Sequence, residues 1–276
     1  MGAEIFLPVN DTQNLNLVYE KPDGHLNWGI ELKGSDVEED ITTPIVVMLH
    51  DAPCNNRQSH DALFGNLARM LSERGLPSVS FDFRGCGDSD GQQHDLTFKT
   101  MQEDLHCVMS WLAKEEGFKK VIFVACGLGV APLLTFLNLK DSGFKTLALT
   151  LFWPALDPYS TSVFKAYLEH GATKDKDGND LPYFEYGHHR IGLSLFNQLR
   201  QLDPIATLKH NKAPILIQQG TADDTVPLHQ IDTVREMAGC EYLDIQLFEG
   251  GTNGLEAANL RPHVLRGAQE FILKFS

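Results

Sequence analysis

The sequence predicts one α/β domain: a doubly wound, mostly parallel sheet carrying a helical cap insertion after its fourth core strand. Two observations carry that prediction. From about residue 45 onward, short apolar runs alternate with longer amphipathic stretches, the signature of repeated βαβ units. Between the fourth run and Ile215, about sixty residues break the alternation, and their Lys174-Asp175-Lys176-Asp177-Gly178-Asn179-Asp180 tract is polar and turn-rich. At 276 residues the chain can bury a large core, so residues 1–276 are read as a single domain with the cap at about 157–210.

The elements follow in order. Leu15 to Tyr19 and Leu26 to Leu32 read as antiparallel strands at a sheet edge, with Lys21-Pro22-Asp23-Gly24 supplying the turn between them. Ile45 to Leu49, Ser78 to Phe83, Val121 to Ala125, Thr146 to Phe152, Ile215 to Gln219 and Leu243 to Phe248 read as core strands. Most are apolar throughout, as strands covered on both faces must be. Ser59 to Arg74, Thr97 to Glu116, Leu128 to Leu139, Leu228 to Ala238 and Glu256 to Lys274 are the helices between them. Val121 to Leu139 carries no charge over the length of a membrane span, but Gly127, Gly129 and Pro132 interrupt it. A buried strand turning into a buried helix is the better reading, and no membrane association is expected.

Composition narrows the function classes. With 23 Lys and Arg against 37 Asp and Glu, the net charge of −14 repels polyanions, so nucleic acid is not an expected partner. The densest acidic run, Asp36 to Asp40, reads as a solubilising surface turn. Cys54, Cys86, Cys107, Cys126 and Cys240 form an odd set without a Cys-x-x-Cys pair, which argues against a disulfide framework and a zinc site. Free thiols fit a cytoplasmic protein, and Met1-Gly2-Ala3-Glu4 has no signal-peptide pattern. No metal or cofactor is expected. The pair His188-His189 in the cap shows no helical metal spacing with a carboxylate and reads as surface or packing histidines.

Four landmarks recur in a telling order: Leu49-His50-Asp51, Asp82-Phe83-Arg84-Gly85-Cys86-Gly87-Asp88-Ser89, Ala125-Cys126-Gly127-Leu128-Gly129, and Gly220-Thr221-Ala222-Asp223-Asp224-Thr225-Val226-Pro227. Together they resemble the α/β-hydrolase superfamily, in particular its serine-aminopeptidase-like and feruloyl-esterase-like branch, over nearly the whole chain. That resemblance makes Ala125 to Gly129 a nucleophile elbow, whose tight turn demands small flanking residues. Ala125 and Gly129 meet the demand, but Gly127 stands in the nucleophile slot and has no hydroxyl with which to attack a carbonyl.

The resemblance implies two further departures. Ala52 and Leu128 match the positions whose backbone N–H groups form the oxyanion hole, yet Asp51 replaces the usual glycine and would oppose the charge developing there. Asp223 matches the orienting carboxylate, while Asn253 in Glu249-Gly250-Gly251-Thr252-Asn253-Gly254 stands where the histidine belongs and cannot shuttle protons near neutral pH. Cys126 reads as a buried structural thiol, because Val124 and Leu128 are too bulky to flank a nucleophile. Cys54 and Cys86 lie in loops at the pocket end of the sheet, with no base paired to them in the sequence.

The expected protein is therefore a catalytically degenerate hydrolase-like fold that binds a small, partly apolar ligand under its cap. Phe164, Tyr167, Tyr183, Phe184 and Tyr186 are candidate walls, with cap core packing the alternative for each. Two other functions remain open: a hydrolase or lyase using non-serine chemistry, with Asp223 or Asp224 as base, and an interaction subunit able to dimerise.

Overall fold

A computed structural model describes residues 2–22, 43–139, 142–257 and 259–276. Its main sheet has eight strands: β1 (Ala3–Pro8), β2 (Asn14–Glu20), β3 (Ile45–Leu49), β4 (Ser78–Phe81), β5 (Lys120–Cys126), β6 (Lys145–Phe152), β9 (Ile215–Gly220) and β10 (Leu243–Phe248). They lie in the order β1-β2-β4-β3-β5-β6-β9-β10. Strands β1 and β2 run antiparallel at one edge, and every pairing from β4 to β10 is parallel. The reversal of strand order beside β3 is where such sheets open a ligand crevice at their carboxyl ends.

All six predicted core strands are present, with shifts of at most two residues at their ends. The edge differs. Strand β1 was not expected, because Ala3–Pro8 buries its apolar face only in part: Ile5 and Leu7 rest half-buried on the core, Phe6 is largely exposed, and backbone pairing with β2 adds to its order. The expected strand Leu26 to Leu32, part of its turn, and the acidic run Asp36 to Asp40 lie outside the described residues.

Alternation along β3 shows why both faces need helices. Ile45, Val47 and Leu49 enter one core with Met101, Leu105, Val108 and Leu112 of α2 (Phe98–Lys114) and with α3 (Val130–Leu137). Val46 and Met48 enter the other, with Leu63, Leu67 and Leu71 of α1 (Ser59–Ser72) and Val264, Ala268 and Ile272 of α8 (Arg261–Phe275). Each fully buried side chain of this kind contributes about 1.5–3 kcal/mol. Thr97 fixes the start of α2 through a reciprocal cap with Thr100.

The insertion holds α4 (Ser162–His170), a hairpin of β7 (Tyr183–Tyr186) and β8 (His189–Gly192), α5 (Leu193–Leu199) and α6 (Pro204–Leu208), before α7 (Gln230–Met237) resumes the alternation. Helices thus share the insertion with a small antiparallel sheet. The uncharged stretch from Val121 resolves into β5 and α3. Among the described residues no helix is long and apolar enough to cross a membrane.

Candidate functional site

Strand β5 ends at Cys126, and the chain turns through Gly127 at φ +46° into a single 3-10 turn, Gly127–Gly129, that feeds α3. The turn is as tight as the spacing of small residues implied: a Cβ on Gly129 would overlap the backbone carbonyl of His50. At Gly127 the obstacle is a side chain. A Cβ there would overlap Cγ and both carboxylate oxygens of Asp51. The volume that a side chain at Gly127 would take is filled by a carboxylate from the neighbouring strand's end.

That carboxylate has also taken the donor beside it. Oδ1 of Asp51 accepts the Leu128 N–H, the donor that the resemblance assigns to an oxyanion, at 2.9 Å. Burial raises the Asp51 pKa; the Leu128 N–H, His60 and the Trp153 indole favour its ionised form, and the charge of Asp223 adds to the rise. The resemblance set Asp51 beside the expected oxyanion position, and the geometry turns its carboxylate over Gly127 and onto the Leu128 N–H. Its direction could not be read from residue type.

Asp223 and Asn253 meet as their positions implied. Asp223 is buried at the end of β9, where Oδ1 accepts the Thr225 and Val226 N–H groups at 2.9 and 2.8 Å. Asn253 donates Nδ2–H to the same carboxylate, 3.3 Å from Oδ1 and 3.2 Å from Oδ2. Desolvation raises the Asp223 pKa against the pull of these hydrogen bonds. The pair preserves the geometry of an acid holding its partner, with an amide where a proton carrier would be needed.

A cavity of about 130 Å³ lies over this point, space on the scale that accommodates a benzene-sized molecule. Asp51, Ala52, Leu128 and Asn253 form its polar end. Phe164, Tyr186, Ile191, Leu195, Phe196 and Leu199 of the insertion form its apolar wall. No Lys, Arg or His among the described residues lines it.

Three expected wall residues, Tyr167, Tyr183 and Phe184, are absent from that lining. Tyr183 turns outward, with Arg190 over its ring at 5.3 Å, and Phe184 is buried in an aromatic cluster with Tyr167 and Phe196. Alternation along β7 sets Phe184 and Tyr186 on one face and Tyr183 on the other; Phe184 serves the insertion's own core, and Tyr186 reaches the cavity together with Ile191 of β8. Cys126 faces a smaller space on the other side of Asp51, shared with His50 and His60, and burial holds it as a thiol. Cys54 does line the main cavity, but burial and the Asp51 charge push its pKa up to about 12, so it is no nucleophile at neutral pH. Cys86 is likewise buried and pushed upward. Among the described residues no group of His, Cys, Asp and Glu is arranged to hold a metal; the rings of His188 and His189 meet tilted at 3.9 Å, and the half-buried His189 lies with Nδ1 2.9 Å from Gln93 Nε2.

One site neighbour escaped the sequence reading. His60 packs edge-on against Trp153 at 4.9 Å, places Nδ1 3.1 Å from Glu256 Oε1, and has a buried Nε2 without a hydrogen-bond partner. It is held by three successive left-handed residues, His60, Asp61 and Ala62, at φ 56°, 52° and 49°. No motif marks such a residue, since it reaches the site only through that backbone.

No protein-family model matches the chain. It is 27% identical over 205 residues to the human protein ABHD12B, covering 72% of this chain and 51% of that protein. An Escherichia coli protein of 31.7 kDa from the traX-finO intergenic region is 32% identical over 94 residues, 34% of this chain and 32% of its own length. The chain thus spans a third to a half of the curated relatives it matches. Among solved structures it is similar to Est1E of Butyrivibrio proteoclasticus with ferulic acid bound, at TM-score 0.75 and 15% identity over 98% of both chains. It is also similar to mouse alpha/beta hydrolase domain-containing protein 10, at TM-score 0.67 and 18% identity over 99% of this chain and 100% of that one.

Proposed function

We propose, from the premise that this chain has the α/β-hydrolase fold, that it is a catalytically degenerate member that binds a small, partly apolar molecule in the cavity over its vacated elbow. One observation carries the proposal: the Asp51 carboxylate stands in the nucleophile's volume and accepts the Leu128 N–H. An acyl oxygen entering there would have to displace a bonded carboxylate, and no hydroxyl or thiolate waits to attack it. The apolar wall needs no catalyst to be useful, because a cavity lined in this way binds by shape and desolvation.

The test pairs a serine-reactive fluorophosphonate with a panel of activated acyl esters. Neither labelling nor turnover is expected, and either one in the wild-type protein would overturn the proposal. Binding is tested by a thermal-shift screen of small aromatic and aliphatic compounds, since a ligand that prefers the folded state raises Tm by mass action.

A second reading, an enzyme of non-serine chemistry, is favoured by the Glu256–His60 pair beside Asp51, which is built like a base and its orienting carboxylate. Turnover that disappears in His60→Gln would support it. The five cysteines are free, which supports a reducing compartment as part of the main proposal.

A further inference from the structure

Several backbone donors around Asp51 and Asn253 are already engaged. The Leu128 N–H is spent on Asp51, those of Thr225 and Val226 on Asp223, and that of Ala155 on the Gly127 carbonyl. Asn253 turns its amide nitrogen to Asp223, and only this orientation satisfies a carboxylate, which accepts and never donates while ionised. A planar amide then carries its carbonyl oxygen on the other side. The lining still holds donors, the Ala52 N–H, the Asn55 amide and the Ser162 and Tyr186 hydroxyls among them, but its one carboxylate among the described residues is that of Asp51, and the Asn253 carbonyl is a second acceptor.

A hydrolase site presents the opposite polarity, with N–H groups aimed at an acyl oxygen. Here the departures at Asp51 and Asn253 act in the same sense. No cationic side chain among the described residues lines the cavity to neutralise Asp51. The chain's net charge of −14 favours the approach of cations and disfavours that of anions. The remaining wall is apolar, and the space is benzene-sized.

We infer that the cavity takes a small apolar amine, its ammonium group donating to Asp51 Oδ2 and the Asn253 carbonyl while its hydrocarbon body packs against Phe164, Leu195 and Phe196. The inference rests on the binding reading above and names the ligand class for the same cavity. An ammonium so placed would also offset the desolvation of Asp51 by stabilising its ionised form. Carboxylates, natural visitors of an oxyanion hole, meet the like charge of Asp51 with no cationic side chain among the described residues of the lining to offset it.

Isothermal titration with benzylamine, benzyl alcohol and benzoate tests it, because the three share one hydrocarbon body and differ in head group. Benzylamine should bind at least about tenfold tighter than benzyl alcohol, the gain of a charge-assisted hydrogen bond over a neutral one, and benzoate should be weakest. Asp51→Asn, checked for an unchanged fold by circular dichroism, should erase the benzylamine advantage while benzyl alcohol still binds. Val163→Trp, which fills the cavity from α4, should weaken benzylamine and benzyl alcohol alike and so locate the site without touching its polar end. Benzoate or benzyl alcohol binding as tightly as benzylamine would overturn the amine inference and leave the cavity-binding reading standing. If none of the three binds at millimolar concentration, the binding reading falls and takes this inference with it.

Discussion

At the scale of single residues, Gly127 and Asp51 are two halves of one change. A side chain at Gly127 faces a left-handed backbone, costing about 1–3 kcal/mol, and an occupied volume as well. Gly127→Ser should therefore destabilise by more than backbone strain alone, and Asp51→Gly should recover part of the loss. Urea denaturation of the two single variants and the double variant checks this, with additive effects the outcome that would refute it. His50 supplies a second residue-scale prediction. It is fully buried, accepts the Phe83 N–H on Nε2 at 3.0 Å, and is held by burial at a pKa of about 3. The unfolded side chain takes up a proton near its ordinary 6.5, so acid favours unfolding. The contribution of His50 is complete above pH 6.5 and is lost as pH falls toward 3, amounting to about 2 kcal/mol by pH 5. His50→Gln keeps an acceptor for Phe83 and should flatten stability between pH 7 and pH 5. Of these two effects, the missing hydroxyl at Gly127 was legible in the sequence. The carboxylate in its place was not, because residue order carries no side-chain direction.

At the scale of elements, the loop after β3 that carries Asp51 is pinned from behind. Arg57 donates its backbone N–H and its guanidinium to Asp82 at 2.7 and 2.8 Å, and both residues are buried. Removing one member of a buried pair leaves the other charge stranded, so Arg57→Met should lose about 3–5 kcal/mol. Chemical denaturation measures this, and a loss below 1 kcal/mol would show that the loop is held elsewhere. Strand and helix positions were legible because apolar runs and amphipathic periods report burial directly. The hairpin at β7 and β8 was less so: its four-residue strands are too short for alternation to separate Tyr186, which reaches the cavity, from Tyr183, which does not. His60 was invisible for a related reason, since three left-handed residues in succession leave no trace in sequence pattern.

For the whole molecule, the parallel sheet brings three distant segments, near residues 51, 127 and 253, to one end, so the proposed loss of catalysis is a property of their assembly. Restoration must be as distributed as the loss. The triple variant Asp51→Gly, Gly127→Ser and Asn253→His should react with a fluorophosphonate and hydrolyse p-nitrophenyl acetate. Reverting any one of the three should cost about a thousandfold or more in turnover, because such residues act as a unit. An inert but folded triple variant would mean that the insertion, too, excludes acyl substrates.

The bond between Asp51 and Leu128 has one further consequence. A carboxylate is what an ester hydrolysis leaves behind, so the elbow holds a tethered copy of a reaction product. Tethering keeps it there at an effective concentration in the millimolar range or above, which a free acyl compound must exceed to displace it. Under the proposed loss of catalysis, the way back is therefore ordered. A serine acquired at position 127 while Asp51 remains would be silent, and only a chain that first cleared its own inhibitor could profit from one.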